Sequence, residues 1–93
     1  MNEAKVIFTV LVDERVGKDL KKAPDHIIDK FIKVLDELEI DPIRSRPGVD
    51  ISRLRGHVDI FRVRYGSWRA LYNVDKKNRI VRITKAFPRK KGY

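Results

Sequence analysis

The chain has 93 residues, of which 38% are charged, and a net charge of +9. With no cysteine and only two histidines, disulfide staples and thiolate metal sites are excluded, and two histidines far apart in sequence make no metal site. The positive charge is uneven: residues 1–50 carry nine Lys or Arg against eleven acids, a balance of −2, while residues 51–93 carry thirteen against two, Asp59 and Asp75, a balance of +11.

A length of this order suits one folding unit, residues 1–93, built around one core. A hydrophobic content of 42% in a periodic pattern argues against disorder. No apolar run approaches the ~18 residues of a membrane span. The opening residues, MNEAKVIF, lack the layout of a signal peptide. The expectation is therefore a cytoplasmic protein with no membrane partner. Glutamine is absent and charge is abundant, a composition like that of heat-adapted proteins.

In chain order, residues 5–12 are mostly β-branched or aromatic and predict a strand buried on both sides for much of its length. Asp13 is placed to cap a short helix over 14–22, with Val16 and Leu20 four apart on one face. Pro24 and Asp25 suit the start of a second helix, 25–39. Ile28, Phe31, Ile32, Leu35 and Leu38 form its apolar stripe at a 3.6-residue period. Asp29, Lys30, Lys33, Asp36 and Glu37 read as its solvated face. Two prolines and a glycine make 41–50 a loop, and 51–56 a short connector. Three strands follow, 58–65, 68–74 and 79–86, joined by the tight turns Tyr65-Gly66-Ser67-Trp68 and Asp75-Lys76-Lys77-Asn78. The fold class expected is α+β: an N-terminal strand, two helices on one face, then a three-stranded antiparallel meander.

Strand alternation sorts the meander's side chains. Phe61, Val63 and Tyr65 point one way, Arg62 and Arg64 the other. Trp68 and Tyr72 share the core parity of the next strand and read as packing residues, which leaves Arg69 facing out. Arg62, Arg64 and Arg69 then share the face opposite the helices. Three guanidiniums repel one another, and an anion among them relieves this. Arginine's planar fork suits a phosphodiester. A one-sided basic sheet of this kind points to nucleic acid, because Lys and Arg neutralise phosphates and release counterions. The tail 87–93 adds Arg89, Lys90 and Lys91 and ends in Tyr93, whose phenol both donates and accepts hydrogen bonds. His57 reads as a turn histidine and His26 as structural or solvent-facing.

Residues 53–72, Arg-Leu-Arg-Gly-His-Val-Asp-Ile-Phe-Arg-Val-Arg-Tyr-Gly-Ser-Trp-Arg-Ala-Leu-Tyr, resemble the signature of the RelE/ParE superfamily of toxins from toxin–antitoxin modules. The pattern is Leu-x-Gly, a strand with alternating basic residues, Gly-x-aromatic-Arg-x-x-Tyr, and a final Arg-x-x-x-Tyr, here Arg89 to Tyr93. The likeness spans essentially the whole chain. It implies a RelE-like, microbial-ribonuclease-like fold and a ribosome-dependent endoribonuclease that cuts mRNA and so inhibits translation. It also implies a RelB-like antitoxin that wraps the toxin in a hetero-oligomer, and no cofactor. Carried over residue by residue, the catalytic positions are Arg62, Arg64, Arg69, Arg89 and Tyr93; Arg53, Arg55, Lys85, Lys90 and Lys91 would grip RNA or the ribosome. The best-studied RelE pattern has lysines at the positions of Arg62 and Arg64. A guanidinium stays protonated, which argues against a general-base role at those two positions. Two alternatives stand beside this reading: a ParE-like toxin that poisons DNA gyrase by protein contact, and a non-catalytic RNA-binding module or decayed toxin.

Overall fold

The computed structural model describes residues 7–89. Its elements are β1 (Thr9–Val12), α1 (Glu14–Leu20), α2 (Asp25–Ile40), β2 (Asp50–Arg53), β3 (Ile60–Tyr65), β4 (Trp68–Asp75) and β5 (Ile80–Pro88). All five strands form one sheet in the order β1-β5-β4-β3-β2. β1 runs parallel to β5, and the other pairs are antiparallel. The connection from β1 to β2 runs from one edge of the sheet to the other and contains both helices. Both therefore cover the same face. The core lies beneath them, with Val16 of α1 and Ile27, Phe31, Val34 and Leu38 of α2 against buried side chains of β2 to β5.

The α+β class and the meander agree with the sequence reading, and several details differ from it. The segment around 51–53 is a strand rather than a connector: Asp50–Arg53 pair antiparallel with β3, burying Ile51. β1 is an edge strand and not one buried on both sides, since Leu11 is 38% and Val12 42% exposed. A β-branched run records strand propensity, which edge and centre share. The expected start of that strand at Lys5 lies outside the described residues. The stripe of α2 is also rotated. Its buried residues are Ile27, Phe31, Val34 and Leu38, at offsets 0, 4, 7 and 11, while Ile32 is 54% exposed. Apolar residues occupy a wide arc of this helix, and contact with the sheet selects one edge of it.

Local chemistry explains the ends of the elements. Asp13 sits at the N-cap of α1 with extended backbone, but its side chain makes no cap bond; Oδ1 lies 3.6 Å from Arg82 Nη1 instead. Arg46 closes the C-terminus of α2, donating to the Glu37 carbonyl at 3.0 Å, to Glu37 Oε1 at 3.1 Å and to the Asp41 carbonyl at 3.0 Å. The Glu37 carbonyl also accepts the Asp41 amide at 3.0 Å, so the guanidinium adds a second donor to it and satisfies the Asp41 carbonyl just past the helix end. Asp41 holds the following turn by accepting from the Ile43 and Arg44 amides. Burial alone would raise its carboxyl, but those amides and the guanidiniums of Arg44 and Arg46 bring it below the usual carboxylate value.

Two buried tyrosines make a controlled pair. Tyr72 Oη donates to the Pro42 carbonyl at 2.7 Å, tying the 41–49 loop to the core. Tyr65 Oη is buried with no hydrogen-bond partner among the described residues. Tyr72→Phe should therefore destabilise by about 1–2 kcal/mol, whereas Tyr65→Phe should be neutral or stabilising. Equal losses in urea denaturation would contradict the assignment. Burial pushes both phenols well above their usual 10.0; the Asp19 charge adds to this at Tyr65, while Arg46 and Asp41 act in opposite directions at Tyr72. Above pH ~10 the unfolded chain releases both protons and the folded one keeps them. Stability is thus intact below that pH and falls above it, by about 1.4 kcal/mol per pH unit per tyrosine. Tyr65→Phe should visibly flatten the alkaline decline in Tm between pH ~10 and 11.

A basic sheet face as candidate nucleic-acid interface

On β3, Phe61, Val63 and Tyr65 are buried beneath the helices, and Arg62 and Arg64 stand on the opposite, open face. On β4, Trp68, Ala70, Tyr72 and Val74 are buried and Arg69 faces the open side. Trp68 and Tyr72 are core packing residues, as their parity predicts. Register places Arg64 directly across from Arg69, and Arg62 across from Leu71. The two cross-strand rows extend to both neighbours. One reads Asp50, Arg64, Arg69, Phe87 and the other Ser52, Arg62, Leu71, Lys85. With strands ~4.8 Å apart, each row of four spans roughly 14 Å.

Lys85 and Phe87 reach this face only because β5 is irregular. Leu71 pairs with Lys85, but Tyr72 pairs with Ile83, so Thr84 is an extra residue opposite a continuous β4. Its hydroxyl donates to the Leu71 carbonyl at 3.4 Å. A bulge of this type shifts the strand's parity by one. Val81 and Ile83 pack in the core before it and Ala86 after it, which turns Lys85 and Phe87 to the open face. Unbroken alternation from Ile83 would have pointed both under the helices.

The open face is thus a cationic cluster. Arg64 and Lys85 are exposed, and Arg62 and Arg69 are half-buried. Lys85 Nζ lies 5.6 Å from the centroid of the buried Phe87 ring, within cation–π range. Like charges directly across a strand pair, as at Arg64 and Arg69, destabilise the sheet. An anion lying among them would offset that repulsion, and the planar fork of arginine suits a phosphate. Arg82, on the same face further along β5, lies 3.6 Å from Asp13 Oδ1.

The other residues expected at the site fall in different places. The amide of Arg89 donates to the Ser67 carbonyl at 2.7 Å, which holds the start of the tail at the β3–β4 turn, and its side chain is exposed. Arg53 has the opposite parity from Arg62 and Arg64: it pairs with Phe61, and its guanidinium lies 5.3 Å from that ring's centroid. The structure therefore does not bring Arg53 into the cluster. Arg55 and His57 are exposed in the turn after β2, where Gly56 has φ +82°. Lys90, Lys91 and Tyr93 lie outside the described residues. Sequence reasoning passed over three residues of the rows: Phe87, Asp50 and Ser52. The polar–apolar alternation of Asp50-Ile51-Ser52 was a signal for the last two, hidden by the short strand. Among the described residues no group of three or more His, Asp or Glu side chains is placed to hold a metal.

A family profile described as ParE toxin of type II toxin–antitoxin system, parDE, matches residues 10–92. The chain belongs to the RelE/ParE toxin family. A Methanocaldococcus jannaschii protein named as a toxin, RelE1, is 37% identical over 86 residues, which cover 92% of this chain and 94% of that one. The RelE–RelB complex of Pyrococcus horikoshii matches with a TM-score of 0.79 and 30% identity, over 92% of this chain and 99% of that one. The RelBE2 toxin–antitoxin complex of Mycobacterium tuberculosis matches with a TM-score of 0.75 and 27% identity, over 90% and 100%. The isolated Escherichia coli RelE toxin, at 20% identity and a TM-score of 0.74, shares the fold. This toxin is therefore of the type II, RelE-like kind and has a RelE-like fold.

Proposed function

We propose that this RelE-like toxin is a ribosome-dependent endoribonuclease that cuts mRNA and halts translation. The observation that carries the reading is the in-register cluster of Arg62, Arg64 and Arg69 on adjacent strands, extended by Lys85 from β5. Such a face suits the cleavage open to RNA, in which the ribose 2′-oxygen attacks the adjacent phosphorus and the bond to the 5′-oxygen breaks. The 2′-hydroxyl loses a proton and the leaving oxygen gains one. Negative charge gathers on the phosphoryl oxygens in between. Arg69, at the centre of its row, is assigned to stabilise that charge; one such preorganised donor is worth ~3–4 kcal/mol. Arg62, Arg64 and Arg89 are assigned to flanking phosphates, and Tyr93 to proton exchange or base stacking by its match to the family motif. Acid–base groups are scarce on the face, which fits an enzyme whose substrate is positioned by the ribosome.

The partner proposed is a RelB-like antitoxin, as in the complexes of the structural relatives. An acidic or extended segment that folds on binding would cover the basic face. With a ribosome and an antitoxin as partners, the compartment proposed is the cytoplasm. The ParE description of the matching profile favours a second reading, a gyrase poison acting by protein contact. Purified toxin added to translating ribosomes with a defined mRNA separates the two when new 5′ ends are mapped beside a ribosome-free control. Cuts that require the ribosome are the expected result. Growth arrest on expression without any cut would transfer the activity to gyrase, and neither effect would leave an RNA-binding module.

A further inference from the structure

A second basic site lies on the helix side of the sheet. Where the β3–β4 turn meets α2, a cleft of about 340 Å³ is lined by Lys30 and Lys33 of α2, Arg64 of β3, and the backbone at Gly48 and Gly66. α2 is otherwise an acidic helix: Asp25, Asp29, Asp36, Glu37 and Glu39 outnumber its two lysines, and both lysines line this cleft. The one carboxylate in the lining, Glu37, is held by Arg46 at 3.1 Å, so its charge is offset. Lys30, Lys33 and Arg64 enter no ion pair among the described residues. The two glycines keep the walls low. Gly66 packs so closely on α2 that an added Cβ would lie 3.3 Å from Lys30 Cδ, whereas one at Gly48 would meet nothing within 4 Å. The cleft is therefore a built, cationic concavity with accessible backbone.

Arg64 also stands across from Arg69 in the open-face cluster. It thus joins the two basic regions around the end of β3. We propose that the cleft is a second phosphate-binding site, in which Lys30, Lys33 and Arg64 grip the backbone of RNA that leaves the open face and turns around this edge of the sheet. The site rests on the RNA-cutting reading above and extends it. Its residues act as anchors: they carry affinity and salt dependence and take no part in bond breaking. Lysine suits this role, because its ammonium is a point charge that follows a phosphate without a fixed geometry.

The test uses a 2′-O-methylated mRNA, which lacks the attacking hydroxyl and so survives the measurement. Affinity is followed against salt, on this RNA alone and on ribosomes carrying it, for wild type, Lys30→Ala/Lys33→Ala and the exposed-turn control Lys76→Ala/Lys77→Ala. Removing a lysine that neutralises one phosphate lowers the slope of log affinity against log salt by about one. The α2 double variant should thus bind roughly 10–50-fold more weakly at ~0.15 M salt, with the turn control near wild type. An effect on both targets makes mRNA the ligand, and an effect on ribosomes alone makes it ribosomal RNA. Lys30→Arg/Lys33→Arg should restore most of the slope. If wild type binds and cuts RNA while the α2 variant keeps the full slope, the cleft proposal falls and the function stands. The proposal also falls if the α2 variant loses antitoxin binding alone, which would make the cleft a protein contact. Absence of RNA and ribosome binding by wild type overturns the functional reading itself, and the cleft with it.

Discussion

Arg69→Ala is expected to lower ribosome-dependent cleavage by about 10²–10³-fold and to abolish growth arrest, while the protein stays folded. Arg69 faces the open side of β4, and the core residues beneath it are Trp68, Ala70 and Tyr72. Truncating an open-face side chain leaves the core packing intact, so the stability change should stay near the ~0.5 kcal/mol of ordinary surface substitutions, or slightly above it because Arg69 is half-buried. Arg69→Lys separates charge from geometry. A lysine keeps the charge but loses the planar fork, so it should recover only part of the rate. Mapping of 5′ ends and a thermal melt on the same preparations check both halves. Full cleavage by a folded Arg69→Ala protein would remove Arg69 from the chemistry. An unfolded variant would contradict its placement on the open face.

Gly66→Ala should be strongly destabilising, by about 2–5 kcal/mol. Two terms add: Gly66 has φ +63°, where an L side chain costs ~1–2 kcal/mol, and the new Cβ would lie 2.9 Å from Ile27 Cδ1, with overpacking of that kind costing ~1–3 kcal/mol. For a domain of this size, at about 4–8 °C per kcal/mol, the drop in Tm is on the order of 10–40 °C. Ile27 is fully buried, so Ile27→Val alone should cost ~0.5–1.5 kcal/mol. The same change deletes the Cδ1 that an alanine at 66 would strike. The double variant should therefore lose less than the sum of the two, with a coupling of about 1 kcal/mol. Strict additivity in chemical denaturation would show that the turn does not pack on α2 as described. The turn also sets the register of Arg64 against Arg69, so a loosened Gly66→Ala hairpin should lose cleavage at temperatures where it is still folded.

Much of the site was legible because it depends on two short-range rules. Alternation with period two separates Arg62 and Arg64 from Phe61, Val63 and Tyr65, and a tight turn at Gly66 makes the next strand an antiparallel neighbour. Those facts bring Arg69 to the same face without knowledge of the rest of the fold. The errors came where the signal was short or symmetric. Four residues, Asp50–Arg53, are too few for alternation to stand out from a loop. α2 has apolar side chains on both edges of its inner arc, so Ile28 and Ile32 looked as suitable as Ile27 and Val34. The sheet contacts only one of those edges.

By itself, the sequence determined the class of fold, the meander, the sidedness of the three arginines and the family, since each follows from local periodicity or from a motif in contiguous residues. Tertiary structure alone decided the rest. The pairing of β1 with β5 depends on segments some seventy residues apart. The bulge at Thr84 inserts one residue that no pattern in β5 marks, and it alone turns Lys85 and Phe87 to the basic face. The cleft at Lys30, Lys33 and Arg64 exists only because α2 lies across the turn at Gly66. A helix's solvated face and a strand's outer face are separate in sequence, and packing is what makes them neighbours.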